Sequence, residues 1–471
     1  MKNNTKISPK KDSQKMQKIV SFCKRKWIIF SASDIYWWFA NTYTYWPYWV
    51  EIKNNIKNLW WKTFVQWRRD VTWIDSPILL NPKVWSASWH ANWFNDALTD
   101  CRNCKSRFRA DHLIENQLPW IDPEWLPFEE MTKIIRENHL KCEKCWSENL
   151  TDVKKFSWMF ELNFWKNWDD EKIFLRPETA QWIFLEFKNV LDNTRQKFPF
   201  WIAQIWKSFR NEITPWNFTF RLLEFEQMEI EYFIEEKNWE ENFENWKNDM
   251  IKWSKNIWLS EKNFRLFEHA PEKLSHYSKR TIDIEYNFPF WGFKELSWLA
   301  YRTNFDLSQH EKFSWQELKF RNPQTNEKFV PHVIEPSFWL DRAILAVICE
   351  SYFEKEDWSV ILKIDPKIAP VKCAILPLVK KLSPEAEKIF DELKMDFNCE
   401  FDDIWSIWKR YARQDEIWTP FCVTVDFDTT WTWTESDPEF LNTVTIRNRD
   451  NWDQFRINIW DLKKYILEKI K

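Results

Sequence analysis

The sequence predicts an α+β protein of more than one domain, on three observations. Residues 195–234 carry a long hairpin pattern in which apolar and polar side chains alternate with period two. Between Val50 and Phe64, the residues Ile52, Ile56, Leu59, Trp60 and Phe64 fall at helical spacing. After a polar, acidic stretch around Tyr352–Asp357, which reads as a linker, strand-like and helical runs alternate: Cys373–Leu378, Pro384–Leu393, Phe421–Phe427, Thr443–Ile446, Gln454–Ile459 and a helix from Asp461. That order predicts a small α/β domain over 366–471.

The remaining segments follow from composition. Residues 1–15 are rich in Lys, Asn and Ser without an apolar stretch, which predicts a disordered tail and no signal peptide. Residues 16–355 form the larger domain, interrupted by a cysteine-containing insertion at about 101–160 and a Glu/Lys/Asn-rich, solvated helical insertion at about 236–280. No run of about 18 apolar residues is present, so no membrane partner is expected. A net charge of −3 with 30% charged residues suits a cytoplasmic protein and neither demands nor excludes RNA. Nine cysteines without secretory features argue against a disulfide framework.

Tryptophan and glycine are out of proportion. The chain has 38 Trp and one Gly in 471 residues, whereas ordinary usage would give roughly 33 glycines. Glycine serves wherever the backbone needs φ > 0, and no other side chain replaces it generally. Most Trp letters are therefore expected to stand at glycine positions, as when a UGA codon read as glycine is translated as tryptophan. Trp216 in Thr214-Pro215-Trp216-Asn217, Trp146 after Cys145, and Trp37, Trp38, Trp405 and Trp408 lie in turn-like surroundings, whereas Trp60, Trp61 and Trp85, on helix or strand patterns, read as genuine. Gly292 is the one glycine, in Phe288-Pro289-Phe290-Trp291-Gly292-Phe293.

The hairpin carries the densest chemistry. Alternation places Gln204, Ser208, Arg210 and Glu212 on one face of the first strand, and Arg221, Phe225, Gln227 and Glu229 on one face of the return strand. If the two faces coincide, arginines for phosphate, a ring for a base and carboxylates for amino donors share one surface. The plain alternative is a half-exposed sheet with surface ion pairs. A second constellation is Cys101-x-x-Cys104 with Cys142-x-x-Cys145, 37 residues separating the pairs. Two such knuckles provide four thiolates for a closed, structural zinc site; reduced free thiols are the alternative.

Phe209-Arg210-Asn211-Glu212 resembles motif 2 of class II aminoacyl-tRNA synthetases, and Ile205–Phe233 as a whole is similar to the glycyl-tRNA synthetase form once Trp206 and Trp216 are read as Gly. Arg176-Pro177-Glu178-Thr179-Ala180-Gln181-Trp182 resembles that family's RPETAQG signature. Trp339-Leu340-Asp341-Arg342 resembles motif 3, and Asn54–Trp85, a helix followed by a strand and Pro82, resembles motif 1. Lys409-Arg410-Tyr411, Gln414-Asp415-Glu416-Ile417 and Thr419-Pro420-Phe421 look like the family's anticodon-binding domain.

The resemblance implies a class II antiparallel-sheet catalytic domain that makes glycyl-adenylate from glycine and Mg-ATP, then transfers glycine to the 3′ end of tRNA(Gly). The ATP site it implies uses Arg210, Asn211 and Glu212, the run Phe220, Arg221, Leu222, Leu223, Glu224 and Phe225, then Glu295 and Leu296, and finally Trp339, Leu340, Asp341 and Arg342. In it Arg210 meets the α-phosphate, Arg342 the γ-phosphate, Phe225 stacks on adenine and Glu212 lies near its amine. The glycine pocket it implies uses Arg109, Glu178, the run Phe225, Glu226, Gln227, Met228 and Glu229, and Glu335, Pro336, Ser337, Phe338 and Trp339. Glycine has no side chain to grip, so carboxylates must recognise its ammonium and larger amino acids must be excluded sterically. As literal indoles, Trp206 and Trp339 would fill space that nucleotide and amino acid require. The resemblance further implies a homodimer built through motif 1, with Trp60 and Trp61 burying at the interface, and no DNA partner. The basic residues Lys380, Lys381, Lys409, Arg410 and Arg413 could meet an anticodon stem, and a solvated surface would look the same. A non-catalytic nucleic-acid-binding protein on the same scaffold is the rival reading; Arg210, Glu212 and Arg342 together argue against it.

Overall fold

The structure is a computed structural model, and it describes all residues except 1–8, 27, 37–41, 124–125, 164–171, 195, 214–217, 291, 355–359, 431–437 and 471. Trp37, Trp38, Trp216, Trp291 and most of the expected N-terminal tail thus lie outside the described residues.

Seven strands form the central sheet: β1 (Val71–Trp73), β2 (Phe200–Phe209), β3 (Glu224–Ile234), β4 (Phe264–Glu268), β5 (Arg280–Phe288), β6 (Gly292–Thr303) and β7 (His332–Trp339). They lie side by side as β4-β5-β6-β7-β3-β2-β1, antiparallel except for β1 with β2. The hairpin read from residues 195–234 is β2 and β3. Its register sets Gln204 opposite Glu229, Trp206 opposite Gln227, and Ser208 opposite Phe225. Directly opposed residues share a face, so the two polar faces do coincide.

Apolar residues on the alternate positions close the back of the sheet. Met228, Ile230, Ile284, Leu299, Ile334 and Phe338 meet α2 (Pro47–Trp61), α4 (Trp239–Asn256) and α6 (Leu340–Ser351) in one buried cluster. On the front, α3 (Ala180–Asn193) packs Ile183, Phe184 and Phe187 against Phe200, Ile202 and Phe233, together with Leu307 of α5 (Phe305–Ser314). That layer covers only the end of the front near Phe233. The end near Phe225 is left to line a cleft.

Beyond it, β8 (Cys373–Pro377), β9 (Cys399–Phe401), β10 (Phe421–Val425), β11 (Thr443–Asn448) and β12 (Gln454–Asn458) lie in the order β9-β8-β10-β11-β12. β8 runs parallel to both neighbours. The second core gathers Ile375, Val423 and Ile446 with Ile389 and Leu393 of α7 (Ser383–Leu393); α8 (Ile407–Glu416) and the C-terminal helix α9 (Ile459–Ile470) complete the α/β pattern read from the sequence.

Several local readings change. Residues 9–15, expected in the tail, belong to helix α1 (Pro9–Arg25). The 236–280 stretch is not a solvated helix throughout: α4 buries Phe243, Trp246, Met250 and Trp253 at intervals of three and four, and the chain then adds β4 to the sheet edge. Its many charges occupy the other faces of the helix and concealed that stripe. Asn81–Trp85 is not a strand, because the Asn81 side chain accepts the Lys83 N–H and Pro82 opens a helix to Ala87. Trp60 is fully buried in this chain's own core against Phe64 and Phe338, so it is not available to an interface; Trp61 packs edge-on to Trp73.

Backbone geometry bears on the tryptophans. Fourteen described residues other than glycine have φ > 0, and seven are Trp: Trp89, Trp146, Trp258, Trp315, Trp405, Trp418 and Trp452. Trp makes up 38 of 471 residues overall, and a bulky residue has no preference for this region. Trp146 and Trp405, read as glycine positions from sequence, are among them. Trp408 is not, since it lies within α8. Trp60, Trp61 and Trp85 are helical. Buried indole N–H groups at Trp201, Trp339 and Trp418 lack partners, but so do those of Trp60 and Trp85, so the orphaned N–H does not separate the two classes.

Candidate functional site

At the open end of the front face, the guanidinium carbon of Arg210 lies 5.4 Å from the Phe225 ring and 4.8 Å from the Trp339 ring. The guanidinium of Arg342 lies 4.3 Å from the same Trp339 ring. The indole packs on Phe225 with centroids 4.5 Å apart. Two arginines from separate motifs and one stacking ring therefore converge on one flat bicyclic group, and what remains beside it is a cavity of about 130 Å³ bordered by Glu212, Phe220 and Arg221. Small-molecule pockets run from about 300 Å³ upward. Arg342 is fixed by Phe220 O at 3.2 Å and Glu295 Oε1 at 2.9 Å; Arg210 donates to Pro177 O at 3.1 Å.

Glu295 reaches this face through a bulge. Ile284 pairs with Ser297 but Glu285 pairs with Glu295, so Leu296 is the extra residue. The parity flips there, sending Leu296 into the core and Glu295 to the front.

Next to the arginines, a cavity of about 640 Å³ is lined by His90, Glu178, His276, Tyr277, Trp298 and Ala300, among others. Glu178 lines it, and further carboxylates are buried behind Glu178. Glu229 accepts from Thr179 N–H at 3.1 Å, from the Thr179 hydroxyl, and from Ser337 Oγ at 3.1 Å. Glu178 accepts from Gln181 Nε2 at 2.9 Å and stands 3.3 Å from His90 Nε2. Burial alone would raise the Glu178 pKa, yet His90, Arg302 and Gln181 together hold it well below the usual carboxylate range. Glu335 accepts from Arg302 at 3.0 Å; burial drives its carboxyl up to about 8 against the pull of that arginine.

The relatives of the chain then decide the family. A glycine–tRNA ligase of Clostridium acetobutylicum is 46% identical over 98% of this chain and 100% of its own length. One from Caldanaerobacter subterraneus is 47% identical over 97% and 98% of the two chains, and one from Bacillus cereus 45% over 97% and 99%. This chain belongs to the glycine–tRNA ligase family. Residues 372–469 also match the family described as anticodon binding domain.

Within this glycine–tRNA ligase framework, some residues named from sequence stand apart from the cleft. Met228 and Phe338 are in the back-face core. Glu226, also on the back, pairs with Lys53 and Lys57. Glu224 pairs with Lys207 at the surface. Asp341, by contrast, borders the smaller cavity, and it is tied to the Tyr45 hydroxyl at 2.6 Å and the Glu226 N–H at 3.0 Å, bracing the motif 3 turn. Contiguous runs read as sites cannot all face one way on a strand. Trp206 lines neither cavity; it is exposed, with the Arg176 guanidinium 5.8 Å from its ring. Asn211 donates to Ser157 O, and Arg109 is held by Asp96 and Asp111. Leu222 borders the smaller cavity with Phe225 and Trp339, whereas Gln227, Leu223 and Pro336 are buried on or beside the sheet.

Other members of the site carried no motif. Arg302, Asp306, His90, His276 and Tyr277 surround these carboxylates. Arg302 could have been reached by parity, two and four residues beyond Ala300 and Trp298 on β6; the loop residues could not.

The four cysteines of this glycine–tRNA ligase meet in space. Cys101 Sγ lies 3.6 Å from Cys145 Sγ, and Cys104 Sγ 3.5 Å from Cys142 Sγ, with all four sulfurs within 4.8 Å of one another. Tetrahedral zinc with Zn–S near 2.3 Å requires sulfurs about 3.8 Å apart. The two knuckles are superposable in plan. Cys101 and Cys142 N–H donate to Ser106 and Ser147 carbonyls, and Lys105 and Trp146, both with φ > 0, donate back to the Cys101 and Cys142 carbonyls. The donor set fits zinc.

In the anticodon binding domain, Arg410 is buried and spends its guanidinium on the carbonyls of Pro377, Asp403 and Trp405. Arg413 is engaged by Asp402. The sequence reading that offered Arg410 to RNA is corrected, because its buried guanidinium staples a loop; Arg413 remains part-exposed beside Asp402. Lys380, Lys381 and Lys409 are exposed.

Proposed function

We infer that this chain is an ATP-dependent glycine–tRNA ligase, activating glycine as its adenylate and passing it to tRNA. Within that activity we propose the following assignment. Phe225 and the space held by the Trp339 indole receive adenine. Arg210 contacts the α-phosphate and offsets charge as the glycine carboxylate attacks; Arg342 holds the γ-phosphate, and Mg²⁺ enters with ATP. Glu178, Glu229, Glu335 and Ser337 receive the glycine ammonium. No general base is needed, because the attacking carboxylate is ionised at neutral pH. Preorganised arginines supply the electrostatic stabilisation. Cys101, Cys104, Cys142 and Cys145 hold a structural zinc, which would close the 101–160 loop. Residues 16–355 act as the catalytic domain and 366–471 bind the anticodon. The enzyme works in the cytoplasm as a homodimer; among the described residues no helix is long and apolar enough to cross a membrane.

The observation that carries the assignment is the convergence of Arg210 and Arg342 on one ring beside Phe225. It is tested with Arg210→Ala in protein purified from its own host. Glycine-dependent ATP–pyrophosphate exchange should drop by about 10²–10³ with the fold retained by circular dichroism. Exchange at the parental rate would remove Arg210 from the reaction. Glu178→Gln should chiefly raise the KM for glycine.

A further inference from the structure

Buried behind Glu178 and the lining of the amino-acid pocket is a carboxyl that the sequence motifs do not name. Glu231 stands on β3 two residues beyond Glu229, is fully buried, and neither of its carboxyl oxygens has a hydrogen-bond partner. One oxygen each from Glu229, Glu231 and Glu335 lies within 4.8 Å of the others. Glu229 accepts from the Thr179 N–H and hydroxyl and from Ser337. Glu335 uses Oε1 on Arg302, while its Oε2 is unpartnered; the Trp298 indole only weakly favours its anion.

The charges around Glu231 do not balance. Glu229 flanks it on β3, Glu335 on β7, Asp306 on α5 and Glu178 ahead of α3, with the Tyr277 hydroxyl beyond. Arg302 of β6 is the guanidinium among them, and Asp306 already holds it at 2.8 and 2.9 Å. An ionised carboxylate buried without a protein donor carries a large desolvation cost. A protonated Glu231 has one O–H to give, and Glu335, with an oxygen within 4.8 Å and its Oε2 unpartnered, is a neighbouring carboxyl able to accept it. Burial pushes Glu231 well above the carboxylate range, with Glu335 adding to the effect and Arg302 opposing it.

We propose that Glu231 and Glu335 share one proton in the glycine-free enzyme, and that the glycine ammonium displaces it, making glycine binding proton-coupled. The inference rests on the pocket being the glycine site. In the step, the O–H bond of the shared carboxyl breaks and its proton passes to buffer. The ammonium, which keeps its own three protons, takes over as counter-charge. One positive charge replaces another, so the pocket never holds the extra anion uncompensated. Glu231 acts as a positioning residue, setting the charge that the carboxyl cluster presents.

Below the apparent pKa of the pair, a proton must leave for glycine to enter. The Kd for glycine should therefore fall about tenfold per pH unit as pH rises, and level off near the top of the range from pH 6 to about 8. Calorimetry of glycine binding to full-length enzyme in two buffers of different ionisation enthalpy reads the proton directly; about one per glycine is expected near pH 6.5. In Glu231→Gln a permanent amide donor takes the proton's place beside Glu335 and favours its anion, so proton release should diminish and the pH slope move to lower pH. Wild-type binding that is flat with pH and releases no proton overturns the proposal, and so does undiminished release by Glu231→Gln. If that variant fails to fold, the wild-type measurement decides alone. Wild type that binds ATP but no glycine would remove the pocket assignment and this proposal with it, a result distinct from glycine binding without a proton.

Discussion

Trp315 follows the last turn of α5 with φ 62°, donates its N–H to Glu311 O, and leaves its indole 91% exposed. That is the left-handed C-terminal cap where glycine is the usual occupant. Because the indole buries nothing, the backbone term stands alone. Trp315→Gly in the Trp-bearing chain should raise stability by about 1 kcal/mol, and Trp315→Ala should not, since alanine keeps the Cβ. Chemical denaturation of the three chains compares them; equal stability of Gly and Ala variants would show that the left-handed turn carries no strain. The same residue-level logic explains why Trp339 was legible in part. Motif 3 marked the position, but only the fold placed its ring on Phe225 between two arginines.

At the scale of elements, the cysteine insertion is two matching knuckles brought together by the segment between them. Its small core of Leu113, Ile114, Met131 and Ile135 is modest, so the metal should contribute much of its order. Elemental analysis of freshly purified enzyme should find about one zinc per chain, and chelation should increase amide exchange over 101–160 while leaving the β2–β3 hairpin protected. Protein without zinc and with an ordered insertion would assign the thiols no metal role. For the hairpin, period two was enough to read both faces, because a strand allows only two. For 236–280 composition misled, since charge counts say nothing about which face of a helix is buried.

For the whole molecule, the tryptophan question is one of decoding and not of folding. The codons of Trp182, Trp201, Trp206, Trp216, Trp339, Trp405, Trp408 and Trp418 should agree with one another and differ from those of Trp60, Trp61 and Trp85. The left-handed Trp89, Trp146, Trp258, Trp315 and Trp452 should join the first set. A single codon throughout the gene, or a mass spectrum of host protein carrying indoles at Trp339, would end that reading. Assembly is checked separately: sedimentation should give a dimer, and with Trp60 buried internally, Trp60→Ala should lower stability by about 3–5 kcal/mol before it alters association.

By itself the sequence determined the family, the α+β class, the two faces of each hairpin strand and the four cysteines, because each is written in local pattern: alternation, spacing, or a contiguous motif. It named Arg210, Arg342, Phe225, Glu178 and Glu229 for the same reason. Only the tertiary structure decided which residues of each motif face the cleft, through strand parity and the bulge at Leu296. It alone brought Arg302, Asp306, Tyr277 and His90 to the buried carboxylates, since their partners are distant in the chain and no local pattern encodes them. Arg410 and Glu231 show the limit most clearly. An arginine in a basic stretch and a glutamate on an alternating strand both look solvated in sequence, and burial, which no single sequence prints, gives each its chemistry.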